Sequence, residues 1–141
     1  MMINTKIYKA VYTLAEELLE ADRIGDQAAF DKDYAKLQAI CTDNENSEKD
    51  HPEQWETLAD FTADLDEALV IYDKALAKAQ KINSKDHLSS IAFSMAVLQL
   101  EKGDKEAAIQ SLQNDKIKAN KIEDKEFKVE IEEMLATLLP Q

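Results

Sequence analysis

The chain is poor in the residues that break or cross-link a backbone. Its 141 residues include only two Gly, two Pro and one Cys. With so few enforced turns, and with Ala, Leu, Lys and Glu dominant, helix is the state that the local chemistry favours throughout. A lone Cys41 excludes an internal disulfide and fits a reducing compartment. No apolar run approaches the ~20 residues that span a bilayer. The opening residues, Met1-Met2-Ile3-Asn4-Thr5-Lys6, do not read as a signal peptide. The expectation is a cytoplasmic chain forming one domain over residues 1–141.

Positive charge is also scarce. Seventeen Lys and Arg stand against 29 Asp and Glu, a formal charge of −12. The imbalance is concentrated in residues 43–67, where Lys49 is the single base among Asp43, Glu45, Glu48, Asp50, Glu53, Glu56, Asp60, Asp64, Asp66 and Glu67. A nucleic-acid ligand is excluded on this ground, because binding it requires a basic face that neutralises phosphates. An anionic membrane surface is disfavoured in the same way. A basic partner would be attracted, although surface acidity also serves solubility.

What is present is helical periodicity. Ile7, Val11, Leu14 and Leu18 make one stripe, which Asn4 or Thr5 can cap and Gly25-Asp26 breaks near Ile24. Phe30, Tyr34 and Leu37 mark a second helix ending near Cys41. A polar connector over 42–52 follows. Asp50 can cap a third helix, with Pro52 in its first turn and Trp55, Leu58 and Ala59 on one face. Asp64 and Glu67 have capping-box spacing, which puts a turn near 62–64; one unbroken helix over 52–82 is the alternative. Leu69, Tyr72, Leu76 and Ala79 carry a fourth helix. Ser84 or Asp86 opens a fifth, with Ile91, Met95 and Leu98. Gly103-Asp104 precedes a sixth, with Ala108 and Leu112. After a turn at 119–124, Phe127, Ile131, Met134, Leu135 and Leu138 form a last amphipathic helix stopped by Pro140.

Two segments carry a resemblance. Glu67-Ala68-Leu69-Val70-Ile71-Tyr72-Asp73-Lys74-Ala75-Leu76 reads as the second helix of a helical hairpin. Leu98-Gln99-Leu100-Glu101-Lys102-Gly103-Asp104-Lys105-Glu106-Ala107-Ala108-Ile109 reads as a helix end, a glycine turn and a new start. With Trp55-Glu56-Thr57-Leu58-Ala59 and Ala92, Met95-Ala96, these resemble the tetratricopeptide repeat family. Val11, Leu14 and Ala15, and Ala29-Phe30, match more loosely. Ala29, Ala68 and Ala108 recur 39 and 40 residues apart, where the family's period is about 34; longer helices or the acidic connector could absorb the excess.

The resemblance implies an all-α, right-handed stack of antiparallel hairpins over about 3–42, 51–83 and 85–118, closed by a capping helix over about 123–139. In the family, first helices line a concave groove. Here that implies Lys9, Tyr12, Glu16 and Leu19 from the first hairpin, Glu53, Glu56 and Asp60 from the second, and Ser90, Phe93, Val97 and Leu100 from the third. Such a groove is acidic in the middle and apolar at its C-terminal end, suited to a basic or amphipathic peptide or helix. Solvation of the acids and coverage of the apolar residues by the closing helix are the plainer alternatives.

No catalytic constellation is found, and neither a cofactor nor a metal is expected. Glu48-Lys49-Asp50-His51 has Glu-x-x-His spacing, but a bundle di-iron site needs that pattern on two helices. His87 has Ser84 where the Glu would stand. The glutamates at 16, 17 and 20, and at 130, 132 and 133, read as wet helix faces. Cys41 reads as a buried thiol and His51 as part of a solvated loop. The leading functional expectation is a non-enzymatic adaptor binding a protein partner. Alternatives are a secretion-type chaperone resembling those of bacterial type III systems, a structural homo-oligomer, or an enzyme whose acids converge on a metal.

Overall fold

In the computed structural model, capping side chains set most helix boundaries. The structure describes residues 4–119 and 125–139, without the side chains of 115–119 and 125–128. Asn4 Oδ1 accepts from the N–H groups of Lys6 at 3.1 Å and Ile7 at 3.2 Å, opening α1 (Thr5–Ile24). Gly25 closes it at φ +73°, a left-handed conformation that side-chain-bearing residues resist. Asp26 Oδ1 accepts from Ala29 N–H at 3.1 Å and starts α2 (Gln27–Asn44). This is the expected break, and α2 runs three residues past Cys41.

The expected cap of α3 (Pro52–Asp60) is corrected by one position. His51, not Asp50, is the N-cap: its Nδ1 accepts from Glu53 N–H at 3.1 Å, and Gln54 Oε1 accepts from His51 N–H at 2.7 Å. His51 is consequently buried rather than part of a solvated loop. The reciprocal pair satisfies backbone donors that the helix cannot use internally.

Residues 52–82 are two helices. α3 ends at Asp60, and Asp64 Oδ1 accepts from Glu67 N–H at 2.9 Å to open α4 (Leu65–Lys81). Between them, Thr62 Oγ1 donates to Leu58 O and shares a 2.8 Å hydrogen bond with the Tyr34 hydroxyl of α2. Asn83 turns the chain at φ +52°, and Ser84 Oγ accepts from His87 N–H at 3.4 Å, opening α5 (Lys85–Glu101). Gly103 at φ +83° and Asp104, which accepts from Ala107 N–H at 3.1 Å, make the next break before α6 (Lys105–Ala119). The last described helix is α7 (Lys125–Leu138). The expected turn at 119–124 and the stop at Pro140 lie outside the described residues.

Among the described residues the protein is thus all-helical, with seven helices and no strand. No helix there is long and apolar enough to cross a membrane. The chain divides into two compact units, Met1–Lys78 and Ala79–Gln141. In the first, α1 packs on α2 and α3, and α2 packs on α3. Its core includes Val11, Leu14, Leu18, Leu37, Cys41, Trp55 and Leu58.

In the second unit α6 packs on both α5 and α7. The core there is Ala96, Ala108, Leu112, Ile131 and Leu135. Two alanines in this cluster let helix backbones approach while the larger side chains fill the flanks.

The register of α4 departs from expectation. Ala68, Tyr72, Ala75 and Ala79 are its buried stripe, whereas Leu69 and Leu76 are only half-buried. Alanines occupy three of these four inner positions and Tyr72 the fourth, while the leucines lie on the flank.

Candidate functional site

The second unit contains a groove whose two walls arise from adjacent stripes of the same helices that build its core. On α5, Ala96 faces the core while Phe93 and Leu100, seven residues apart, lie on the neighbouring stripe and pack against its edge. On α7, Ile131 and Leu135 enter the core while Met134 and Leu138 flank it. These four flanking side chains, with Glu130, Glu133 and Thr137 of α7, line an open groove of about 470 Å³. The apolar groups form its floor. Glu130, Glu133 and Thr137 are exposed at its margin, and among the described residues no Lys or Arg lines it.

Two of the three expected apolar groove residues, Phe93 and Leu100, therefore do come together. Val97 is half-buried on the same stripe but does not line the groove. Sequence reasoning offers coverage of these residues by the closing helix as an alternative but does not name Met134 and Leu138 as a wall. The available signal was the width of the apolar pattern there: Ile131, Met134, Leu135 and Leu138 are more than one helix contact consumes, and the surplus pair lines the groove.

In the first unit, Glu53, Glu56 and Asp60 share a face of α3, as the seven-residue spacing from 53 to 60 requires. Glu53 and Glu56 are half-buried. The buried Tyr72 donates its hydroxyl to Asp60 Oδ1. Burial of the carboxyl is the main cause that pushes the pKa of Asp60 up to about 6, and repulsion from Glu56 and Glu53 adds to it against the Tyr72 hydrogen bond. Asp60 nonetheless keeps an exposed surface as a residue, so water screens part of that effect.

A second charged cluster ties the acidic connector to α4. Lys78 Nζ donates to Asp50 Oδ2 at 2.8 Å and lies 3.6 Å from Glu45, which Lys74 reaches at 3.5 Å. Both ammonium groups sit over the Trp55 ring, at 4.9 and 5.0 Å from its centroid. Asp50 also accepts from Asn46 N–H at 2.7 Å. Cys41 is buried and donates weakly to Gln54 O at 3.3 Å.

The remaining expected residues, Tyr12, Glu16 and Leu19, stay on the exposed side of α1. Tyr12 is 58% and Leu19 61% exposed, and Tyr12 stacks on Tyr8 with centroids 6.5 Å apart. Of the carboxylates at 16, 17 and 20, all are exposed, and Glu20 is paired with Arg23.

Comparison with models of protein families, with curated proteins and with solved structures finds no match to this chain.

Proposed function

We propose that this protein is a non-enzymatic interaction module of the cytoplasm, a divergent tetratricopeptide-like stack of helical hairpins that holds a segment of another protein. The observation that carries the reading is the α5–α7 groove, with an apolar floor left open to solvent and an acidic margin. An apolar surface of this kind gains free energy when a partner removes it from water. Removal of apolar area from water supplies the driving force, and the few polar groups at the edge select and orient the occupant.

The sequential packing of α1 on α2, α2 on α3 and α5 on α6 supports a hairpin arrangement. So do the small residues at the buried positions of α4, α5 and α6.

The test is affinity capture from host lysate with mass spectrometry, using wild type, Thr137→Arg, and a Glu53→Lys, Glu56→Lys, Asp60→Lys variant, each verified by circular dichroism. A partner held by wild type and lost by Thr137→Arg supports recognition at the groove. A partner lost only by the triple variant would move recognition to the acidic face of α3. A partner held equally by all three would overturn both locations.

A further inference from the structure

The geometry points to a basic amphipathic α-helix as the occupant of the α5–α7 groove, an inference that rests on reading that groove as a binding surface. Three observations select this occupant.

The first is the backbone chemistry of the walls. Both are helices, whose N–H and C=O groups are already paired internally away from their ends. An extended peptide laid between them would bury its own backbone groups without partners, at a cost per group of about 1–3 kcal/mol. A helix brings its backbone already satisfied and offers only side chains.

The second is spacing. Phe93 and Leu100 are seven residues apart, so two turns of α5, about 10 Å, form one wall. Met134 and Leu138 form one turn of the other. A partner helix with apolar residues at i, i+3 or i+4, and i+7 spans the same length.

The third is charge. Glu130 and Glu133 border the floor, and among the described residues no base lines it. Cations flanking the partner's apolar stripe would complete both carboxylates, whereas acids there would be repelled. A second copy of this chain is a poor occupant by the same argument, because it carries −12 itself.

The test uses fluorescein-labelled helical peptides of about 18 residues, read by anisotropy at low and raised salt. One has a Leu stripe flanked by Lys, a second replaces every Lys by Glu, and a third replaces every Leu by Ser. The protein is used as wild type, as Thr137→Arg, and as Glu130→Lys with Glu133→Lys. All three substituted positions are exposed, which keeps folding out of the comparison; melting curves check it.

The expected result is saturable binding of the Leu/Lys peptide to wild type, weakened by salt, with the Glu and Ser versions at least about tenfold weaker. The double Lys variant should lose a comparable factor for the Leu/Lys peptide and prefer the Leu/Glu peptide. Equal binding of the Leu/Lys peptide to wild type and both variants would overturn the inference, because the peptide would then sit elsewhere on the acidic surface. Equal binding of the Leu/Lys and Leu/Glu peptides, both lost in Thr137→Arg, would overturn the basic occupant and leave the groove reading standing. Absence of binding by any helical peptide would overturn this inference, and retention of the natural partner by Thr137→Arg would overturn the groove reading as well.

Discussion

Trp55 donates its indole N–H to Asp50 Oδ1 at 2.7 Å, across the start of α3. The other oxygen of the same carboxylate accepts from Lys78 at 2.8 Å. Asp50 is therefore the joint at which the acidic connector, α3 and α4 are fastened, and Trp55 shields it from below as a buried ring. The arrangement places one partly buried negative charge among three donors, the condition under which a carboxylate in a protein interior is tolerated.

Trp55→Ala should cost about 3–5 kcal/mol, the usual range for truncating a large buried aromatic residue. Trp55→Phe keeps most of the packing but removes the N–H donor, and should cost about 1–2 kcal/mol. Urea titrations followed by circular dichroism measure both. Equal losses for the two variants would mean that the hydrogen bond, not the packing, carries the stability.

Asp50 should also make the fold acid-sensitive. Burial alone would raise its pKa, but hydrogen bonds from Lys78, Asn46 N–H and Trp55, with the charge of Lys78, outweigh this and hold it below the ordinary carboxylate value. A folded-state pKa below the unfolded one contributes stability above the unfolded value, about 3.9, and loses it as pH falls through the folded one. Stability should therefore drop on acidification below about pH 4, and Asp50→Asn should be less stable at neutral pH but flatter in that range. An unchanged acid limb in Asp50→Asn would assign the loss to other carboxylates.

Much of this architecture was legible beforehand, for identifiable reasons. Gly25, Gly103, Asp26, Asp64, Ser84 and Asp104 mark boundaries through local chemistry, and each stands at a boundary in the structure. His51 was misread because a histidine cap is rare and the Asp beside it is the commoner choice. Asp50 was claimed instead by Lys78, 28 residues away, a partner that no local pattern announces. The α5–α7 groove is not the groove of first helices that the resemblance implies, and it shares only Phe93 and Leu100 with it. Phe93 and Leu100 follow from one helix's periodicity, whereas Met134 and Leu138 matter only once α7 is known to flank that stripe. Tyr12 and Leu19 are exposed on α1, and nothing in their spacing distinguishes a binding stripe from a solvated one.

Cys41 should be unreactive in the native protein. Burial pushes its pKa up to about 12, with the negative charges of Asp50 and Glu45 adding to that and Lys78 and Lys74 only partly offsetting it. The thiolate, the reactive form, is then nearly absent at pH 8, and the sulfur is covered. Labelling with a thiol-reactive disulfide should be slow in buffer and rise with the unfolded fraction through a urea transition. Fast stoichiometric labelling without urea would contradict the burial.

Ala96→Leu should destabilise by about 1–3 kcal/mol, because added methylenes have to displace close-packed neighbours. Ala96 is fully buried beside Ala108, Leu112, Ile131 and Leu135. Ala92 on the same helix is only half-buried, so Ala92→Leu is the matched control and should cost less. Equal effects at the two positions would show that the core stripe of α5 is misplaced.

Asp60 should act on stability with the opposite sign to Asp50, and in a different pH range. Its folded-state pKa of about 6 exceeds the unfolded value, chiefly because burial disfavours the charge, with Glu56 and Glu53 adding repulsion. Between about pH 4 and 6 the folded state then binds more protons than the unfolded one, so stability falls as pH rises through that window. At neutral pH the ionised Asp60 is a net liability. Asp60→Asn retains an oxygen that can accept from the Tyr72 hydroxyl while removing the charge, and should raise stability at pH 7. The gain should be at most about 1 kcal/mol, since water reaching this exposed residue screens the effect. Near pH 4 the variant and wild type should converge. Melting temperatures of both proteins from pH 4 to 7.5 measure the difference. A variant less stable than wild type at neutral pH, the difference closing toward pH 4, would mean that Asp60 is stabilised by its ionised hydrogen bond to Tyr72 and that desolvation does not dominate there.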